Sequence, residues 1–379
     1  MKATHAVFAA ALLSLGLCWV SPLGAASDAE VARSRFARLT RGINVGWLNN
    51  RSFTLNRERA EKETALIQAT GCRHVRIYLN VDALRDPSAR EKPDAEKLPA
   101  LDAAIGIALK HDLTVIVDTF HYGFKGLLKF PGPDDPEAEV MVTFWGALAG
   151  HLAKHDADRV FLEVANEPGL ENPLDWYAVE THILAAMRAG APHHTLIAGY
   201  NMRAGKNDWD GIKALTMFPV VPDRNVVYNF HYYRPMALTH QGASWAGAAA
   251  SKLRDVPYPS DPDVIKPVAE RTSDPEARRL VERYGKERWN REKIHAELAV
   301  AAAWAKKHEV LVTCNEFGVY RSVAPAAARA AWTRDVRESL EQLGIGWTIW
   351  NSAFGFLPGR AGKGGVDEDI IRALGLKMP

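Results

Sequence analysis

Read for polarity alone, the chain alternates two textures from Gly42 onward. Short apolar runs with alternating polar positions give way to longer stretches in which apolar residues recur every three or four positions. The first texture predicts β-strands and the second amphipathic helices. Strands are expected at Gly42 to Gly46, His74 to Leu79, Leu113 to Thr119, Val160 to Glu167, Thr195 to Ala198, Val226 to His231, Leu311 to Glu316 and Gly346 to Trp350. Between them, Asn56 is placed to cap a helix that stops at Gly71, and Leu98 to Lys110 forms another. A helix opening at Asp135-Pro136 puts Val140, Phe144, Leu148 and Leu152 on one face. Helices are also expected at Leu174 to Arg188, around Asp208 to Leu215, and with Ile294 and Trp304, with Trp332 and Leu340, and from Asp367 to Leu374. Strands and helices alternating over about 330 residues favour one closed (β/α)8 TIM barrel, in the α/β class, over an open sheet. The stretch from Tyr232 to Asn290, with Pro257, Pro259, Pro262 and Pro267, is expected as an irregular insertion after strand six. A dinucleotide-binding sheet would want G-x-G-x-x-G after strand one, and Gly46-Trp47-Leu48-Asn49 does not supply it.

Composition narrows the class. The 379 residues are 47% hydrophobic with a formal net charge of +2, which describes a soluble globular protein and gives no case for nucleic acid or membrane surfaces. Lys2, the apolar run Ala6 to Val20 and Gly24-Ala25-Ala26 read as a secretory signal peptide. Residues 1–26 are therefore expected to be removed, leaving a catalytic domain at 27–379 that is secreted or periplasmic and free of the membrane. Cys72 and Cys314 are not expected to pair, and no zinc-type spacing appears.

Strand alternation then sorts the polar residues. His74, Arg76 and Tyr78 fall on the interior face of strand two, and Phe161, Glu163, Ala165 and Glu167 on that of strand four. Val227, Asn229, His231 and Tyr233 share a face on strand six, as do Val310, Val312, Cys314 and Glu316 on strand seven, and Thr348 and Trp350 on strand eight. Two glutamates therefore stand at strand ends on the carboxyl side of a barrel, where ligands bind. Strict alternation sends Asn166 away from Glu167 unless the strand kinks. Asp118 and Glu163 are read as structural carboxylates.

In this order the residues resemble glycoside hydrolase family 5, retaining β-glycosidases that include endoglucanases and β-mannanases. The matches are Arg76, Asn166-Glu167-Pro168, His231-x-Tyr233, Glu316 and Trp350. One departure is Asp118-Thr119-Phe120-His121, where such enzymes often carry adjacent histidines, so that only His121 fills a sugar-binding slot. The resemblance implies Glu167 as acid/base and Glu316 as nucleophile, Tyr233 bonded to Glu316, and His231 orienting Glu167. It further implies Asn166 on the sugar 2-hydroxyl and Trp350 under a sugar ring, with no metal or organic cofactor. Arg76 beside Glu316 would hold that carboxylate ionised, while Glu167 would keep its proton.

The expected substrate is a β-1,4-glucan, polysaccharide or oligosaccharide, cut internally by a monomer. With no separate binding module in the sequence, soluble or amorphous polymer is the expected form. β-Mannan and β-1,3-glucan would engage the same residues. A metal-dependent barrel hydrolase could use His121, His231 and a glutamate, but would want His-x-His on strand one. A silent carbohydrate-binding barrel would be expected to lack one of the two carboxylates. The insertion after strand six is expected to wall part of the cleft.

Overall fold

The computed structural model describes residues 27–120, 132–351, 353–358 and 365–379. His121 and the signal-like stretch lie outside the described residues. Eight parallel strands close on themselves in sequence order: β1 (Arg41–Val45), β2 (His74–Asn80), β3 (Thr114–Phe120), β4 (Val160–Glu163), β5 (Leu196–Ala198), β6 (Val226–Tyr232), β7 (Leu311–Phe317) and β8 (Gly346–Ile349). β1 pairs with both β2 and β8, so the expected (β/α)8 barrel is what forms.

The outer layer begins with α1 (Asp28–Phe36), followed by α2 (Arg57–Thr70), α3 (Val81–Leu84), α4 (Leu98–Lys110), α5 (Pro136–Leu152), α6 (Pro173–Gly190) and α7 (Gly211–Met217). Their ends follow local chemistry. Asn56 accepts from the Arg59 N–H at the start of α2, and Gly71, at φ +86°, ends it in a left-handed cap. Asp135 caps α5 with Pro136 in the first turn, where a missing N–H costs nothing.

The insertion after β6 is more regular than the sequence suggested. It holds α8 (Met236–Thr239), α9 (Ala248–Ser251), α10 (Pro262–Arg271) and α11 (Pro275–Lys286). The prolines that look like breakers partly act as starters: Pro262 and Pro275 each follow a capping aspartate, Asp261 and Asp274. The chain then completes the layer with α12 (Arg291–His308), α13 (Ala326–Gln342) and α14 (Glu368–Ala373).

Two cores result. A large one lies between strands and helices. A small one plugs the amino end of the barrel, where Ile116, Phe161, Ile197 and Val227 meet Leu39, from the turn just before β1. Gly346 permits that plug, since a Cβ there would lie 2.3 Å from the Leu39 carbonyl oxygen.

The interior of β7 differs from the alternation expected. Val312 and Cys314 pack in the outer core, whereas Leu311 packs against the inner plug and Asn315 reaches inward to Glu163. The register between β6 and β7 slips by one residue after Phe230, pairing His231 with Glu316. Asn315 is the extra residue of this bulge, so Asn315 and Glu316, adjacent in sequence, both serve the barrel interior. In β4, Phe161 and Glu163 face inward as expected, but Ala165 belongs to the outer core because the strand has ended by then.

Candidate active site

Beyond Glu163 the chain leaves the ladder and bends at Asn166. The Val164 N–H donates to Ile197, and the Asn166 N–H donates to Thr119. Glu167 then adopts φ +48°, a left-handed conformation that L-residues with side chains seldom hold. This is the kink that alternation demanded, and it brings Asn166 and Glu167 to the same mouth. The next loop ties it down, the Met202 N–H donating to the Pro168 carbonyl at 2.7 Å. Backbone strain of this kind, on the order of 1–3 kcal/mol, persists where surrounding contacts over-determine it.

Arg76 is the hub. Fully buried on β2, it makes a two-pronged contact with Glu163 at 2.8 and 3.0 Å and reaches Glu316 Oε1 at 2.8 Å. It also donates to Asn44 Oδ1 at 2.9 Å and Asn166 Oδ1 at 3.0 Å, and Nη2 stands 3.0 Å from Asp118 Oδ2. Glu163 is completed by amide donors from Asn229 and Asn315. Asn44 donates onward to the carbonyls of Asn315 and Ile349. The hub thus pairs with Glu316, as expected, and also with the structural carboxylates Glu163 and Asp118. Asn44, Asn229 and Asn315 are partners that sequence reasoning did not assign, although Asn229 stood on the expected face.

The two glutamates converge. One oxygen from each of Glu167 and Glu316 and one ring nitrogen of His231 lie within 4.8 Å of one another. His231 Nδ1 is 2.9 Å from Glu167 Oε1 and 3.5 Å from Glu316 Oε2. The Tyr233 hydroxyl donates to Glu316 Oε2 at 2.9 Å. Glu316 therefore has a donor on each oxygen, whereas Glu167, with its side chain 14% exposed, leans on His231 alone among the described residues.

Burial drives the protonation behaviour. It pushes the Glu167 carboxyl up to about 7, against the pull of Arg76. Burial lowers His231 to about 4, so its ring is neutral near pH 7. Burial also holds the Tyr233 hydroxyl well above its ordinary range, keeping it a donor. Glu316 corrects an expectation. Burial, with the nearby Glu167, leaves its carboxyl raised, although His231, Arg76 and the Tyr233 hydrogen bond pull it down. Desolvation is the largest cause, and the guanidinium that opposes it is shared among Asp118, Glu163 and Glu316. Asp118, buried in that company, is raised well above an ordinary aspartate.

Trp350 stands at the mouth after β8, its ring 5.2 Å from Tyr78 and stacked at 5.9 Å on Phe120. Phe120 therefore makes an apolar wall where the resemblance would have offered a histidine. Trp347 packs in the outer core. Cys72 and Cys314 are buried and free. Among the described residues no helix is long and apolar enough to cross a membrane.

A family model described as cellulase, glycosyl hydrolase family 5, matches residues 31–354. Endoglucanase 3 of Fibrobacter succinogenes is 25% identical over 364 residues, covering 89% of this chain and 53% of its own length. The chain thus spans about half of that relative. Endoglucanase C of Acetivibrio thermocellus is 25% identical over 319 residues, covering 82% of this chain and 90% of its own. Among solved structures, endoglucanase Cel5A from Thermotoga maritima has a TM-score of 0.70 at 23% identity, over 90% of this chain and 99% of that one. That protein has been solved with cellobiose and with mannotriose. The chain is a member of glycosyl hydrolase family 5, the cellulase family, and thus of the glycoside hydrolases.

Proposed function

We propose that the protein is a retaining endo-β-1,4-glucanase in which Glu316 is the nucleophile and Glu167 the acid/base. One observation carries this reading: two carboxylates with an oxygen of each within 4.8 Å and with unequal surroundings. Retention needs carboxyl groups about 5–5.5 Å apart, and an inverting pair would stand about 6.5–9.5 Å apart to admit a water. Glu316, with Arg76 and Tyr233 donating to its two oxygens, is the one better stabilised as an anion that attacks the anomeric carbon. Glu167, pushed up to about 7 and exposed toward the mouth, holds the proton for the leaving oxygen.

The rest of the site serves that chemistry. His231, neutral and 2.9 Å from Glu167, orients the acid. Asn166 Oδ1 is taken by Arg76, and among the described residues its Nδ2 makes no hydrogen bond, which leaves that group to donate to the sugar 2-hydroxyl. Trp350 offers a ring face to the sugar that forms the covalent intermediate. The chain is read as exported through residues 1–26, with 27–379 acting as a monomeric catalytic domain. The relatives, endoglucanases by name, favour glucan. The mannotriose complex of the Thermotoga enzyme supports mannan as a second substrate to be tested.

The test is turnover on carboxymethyl cellulose, mannan and laminarin, with product stereochemistry followed by NMR. Retained β-configuration, strongest turnover on the glucan, and loss of most turnover in both Glu316→Gln and Glu167→Gln are expected. Near-normal activity in either variant, or inverted products, would overturn the assignment.

A further inference from the structure

The same mouth has a second chemical property. Asp118, Glu163 and Glu316 share a single guanidinium, and Glu167 adds a fourth carboxyl beside them. The site therefore carries more potential anions than cations. Three of its side chains also form a metal-type donor set, with Glu167, His231 and Glu316 each presenting a ligand atom within 4.8 Å of the others.

We propose that Glu167, His231 and Glu316 bind a divalent transition-metal ion, with zinc as the reference case, and that this ion excludes the saccharide. The exclusion rests on the functional reading above, whereas the binding does not. Zinc takes imidazole nitrogen and carboxylate oxygen at about 2.0–2.2 Å, which places neighbouring donors about 3–3.5 Å apart. His231 Nδ1 already stands 2.9 and 3.5 Å from the two carboxylate oxygens, so closure around an ion needs little beyond drawing in the two carboxylates, whose ligand atoms lie within 4.8 Å of each other. Glu167 can supply that movement, because among the described residues its side chain is held by His231 alone.

His231 can also turn an Nδ1 lone pair to the ion, as the tautomer that carries its proton on Nε2. Its Nε2 is buried with no hydrogen-bond partner among the described residues, so nothing there fixes the tautomer. Glu316 is held in place from behind by Arg76 and Tyr233, the kind of outer support that orients metal ligands. The set has one nitrogen and two carboxylates, which suits zinc, copper or nickel. Magnesium and calcium would want six or more oxygens. A bound ion would occupy the gap between the two glutamates, where the anomeric carbon must sit, and would engage both reacting groups.

This ion is an inhibitor rather than a cofactor, which separates the proposal from a metal-dependent hydrolase. The test is calorimetric titration of the full chain with zinc chloride, alone and with saturating cellotetraose, beside turnover with and without EDTA. One remote cluster needs a control: at 2.9 Å each, His151 and His155 both approach Asp102 Oδ1 on the outer helical layer. The titration is therefore repeated in His151→Gln/His155→Gln.

One zinc per chain is expected in that background, with affinity weakened about tenfold or more by Glu316→Gln and by His231→Asn. Cellotetraose should weaken zinc, magnesium should not bind, and EDTA should leave turnover unchanged or raised. Loss of zinc binding in the His151/His155 variant would overturn the proposal. So would affinity unchanged in Glu316→Gln and His231→Asn, or zinc and cellotetraose binding together. Activity abolished by EDTA and restored by zinc would overturn both this proposal and the functional reading. Zinc bound as described in a chain that hydrolyses no glucan or mannan would sink the functional reading alone.

Discussion

A buried carboxyl that must act as an acid near neutrality constrains both rate and stability, and Glu167 shows each side. Its value of about 7 predicts a basic limb near that pH in kcat/KM, because above it the leaving oxygen loses its proton donor. The two glutamates are close enough to titrate as a pair, so the limb belongs to the pair. The stability sign is the reverse of a salt-bridged acid. A folded value raised from 4.5 to about 7 means the native state favours the protonated form. The resulting penalty is absent below about 4.5, grows through the window, and is complete above about 7. Glu167→Gln should therefore match wild type in denaturant midpoint at pH 4 and exceed it at pH 8, by on the order of 3 kcal/mol at most. Equal effects at both pH values would refute the burial argument. Arg76 behaves oppositely: Arg76→Lys loses the fork that holds Glu163 and should cost about 3–5 kcal/mol, read as a drop in denaturant midpoint.

Strands and helix caps were legible in the sequence because they rest on local rules, periodicity and capping, which Asn56, Gly71 and Asp135 obey. The two devices that finish the site are not local. The Glu167 kink is held by the Met202–Pro168 bond from another loop, and the bulge at Asn315 exists only in the register between β6 and β7. Alternation therefore brought Glu316 to the barrel interior while assigning Val312 and Cys314 to the wrong face. The hub was half legible, since Arg76 was placed inward but its sharing among three carboxylates depends on three-dimensional packing. The insertion carries the next prediction. Its first part is stitched to the loop after β7, the Tyr320 N–H donating to Thr239 and the Asp255 N–H to Val323. Trp245 is 61% exposed and packs edge-on against Tyr320 at 5.0 Å. Tyr320 in turn leads through Phe354 to Tyr233 beside Glu316. An open indole at the end of such a chain suits a distant sugar of a long substrate. Trp245→Ala should raise KM on soluble polymer several-fold and leave turnover of a short chromogenic cellobioside unchanged; equal effects on both would remove it from the cleft.

The barrel divides its labour between its two ends, and that division is itself testable. At the carboxyl end, buried charges are crowded around one arginine at an energetic cost, since desolvation opposes each of them. The amino end carries no such demand and is closed by Leu39, Ile116, Phe161, Ile197 and Val227, all fully buried. Stability supplied at one end offsets the cost incurred at the other, because the strands run continuously between them. Leu39 belongs to the turn before β1 and touches none of the reacting groups, so it isolates the supporting end. Leu39→Ala opens a cavity in a close-packed plug and should cost about 2–5 kcal/mol. The folded fraction at 25 °C should keep wild-type kcat and the same pH limbs, because the geometry around Arg76 is set by β2, β4, β6 and β7 above the plug. Chemical denaturation read beside kcat per folded molecule separates the two effects. A loss of kcat in proportion to the loss of stability would show that the ends are coupled, and that the hub depends on the plug for its alignment.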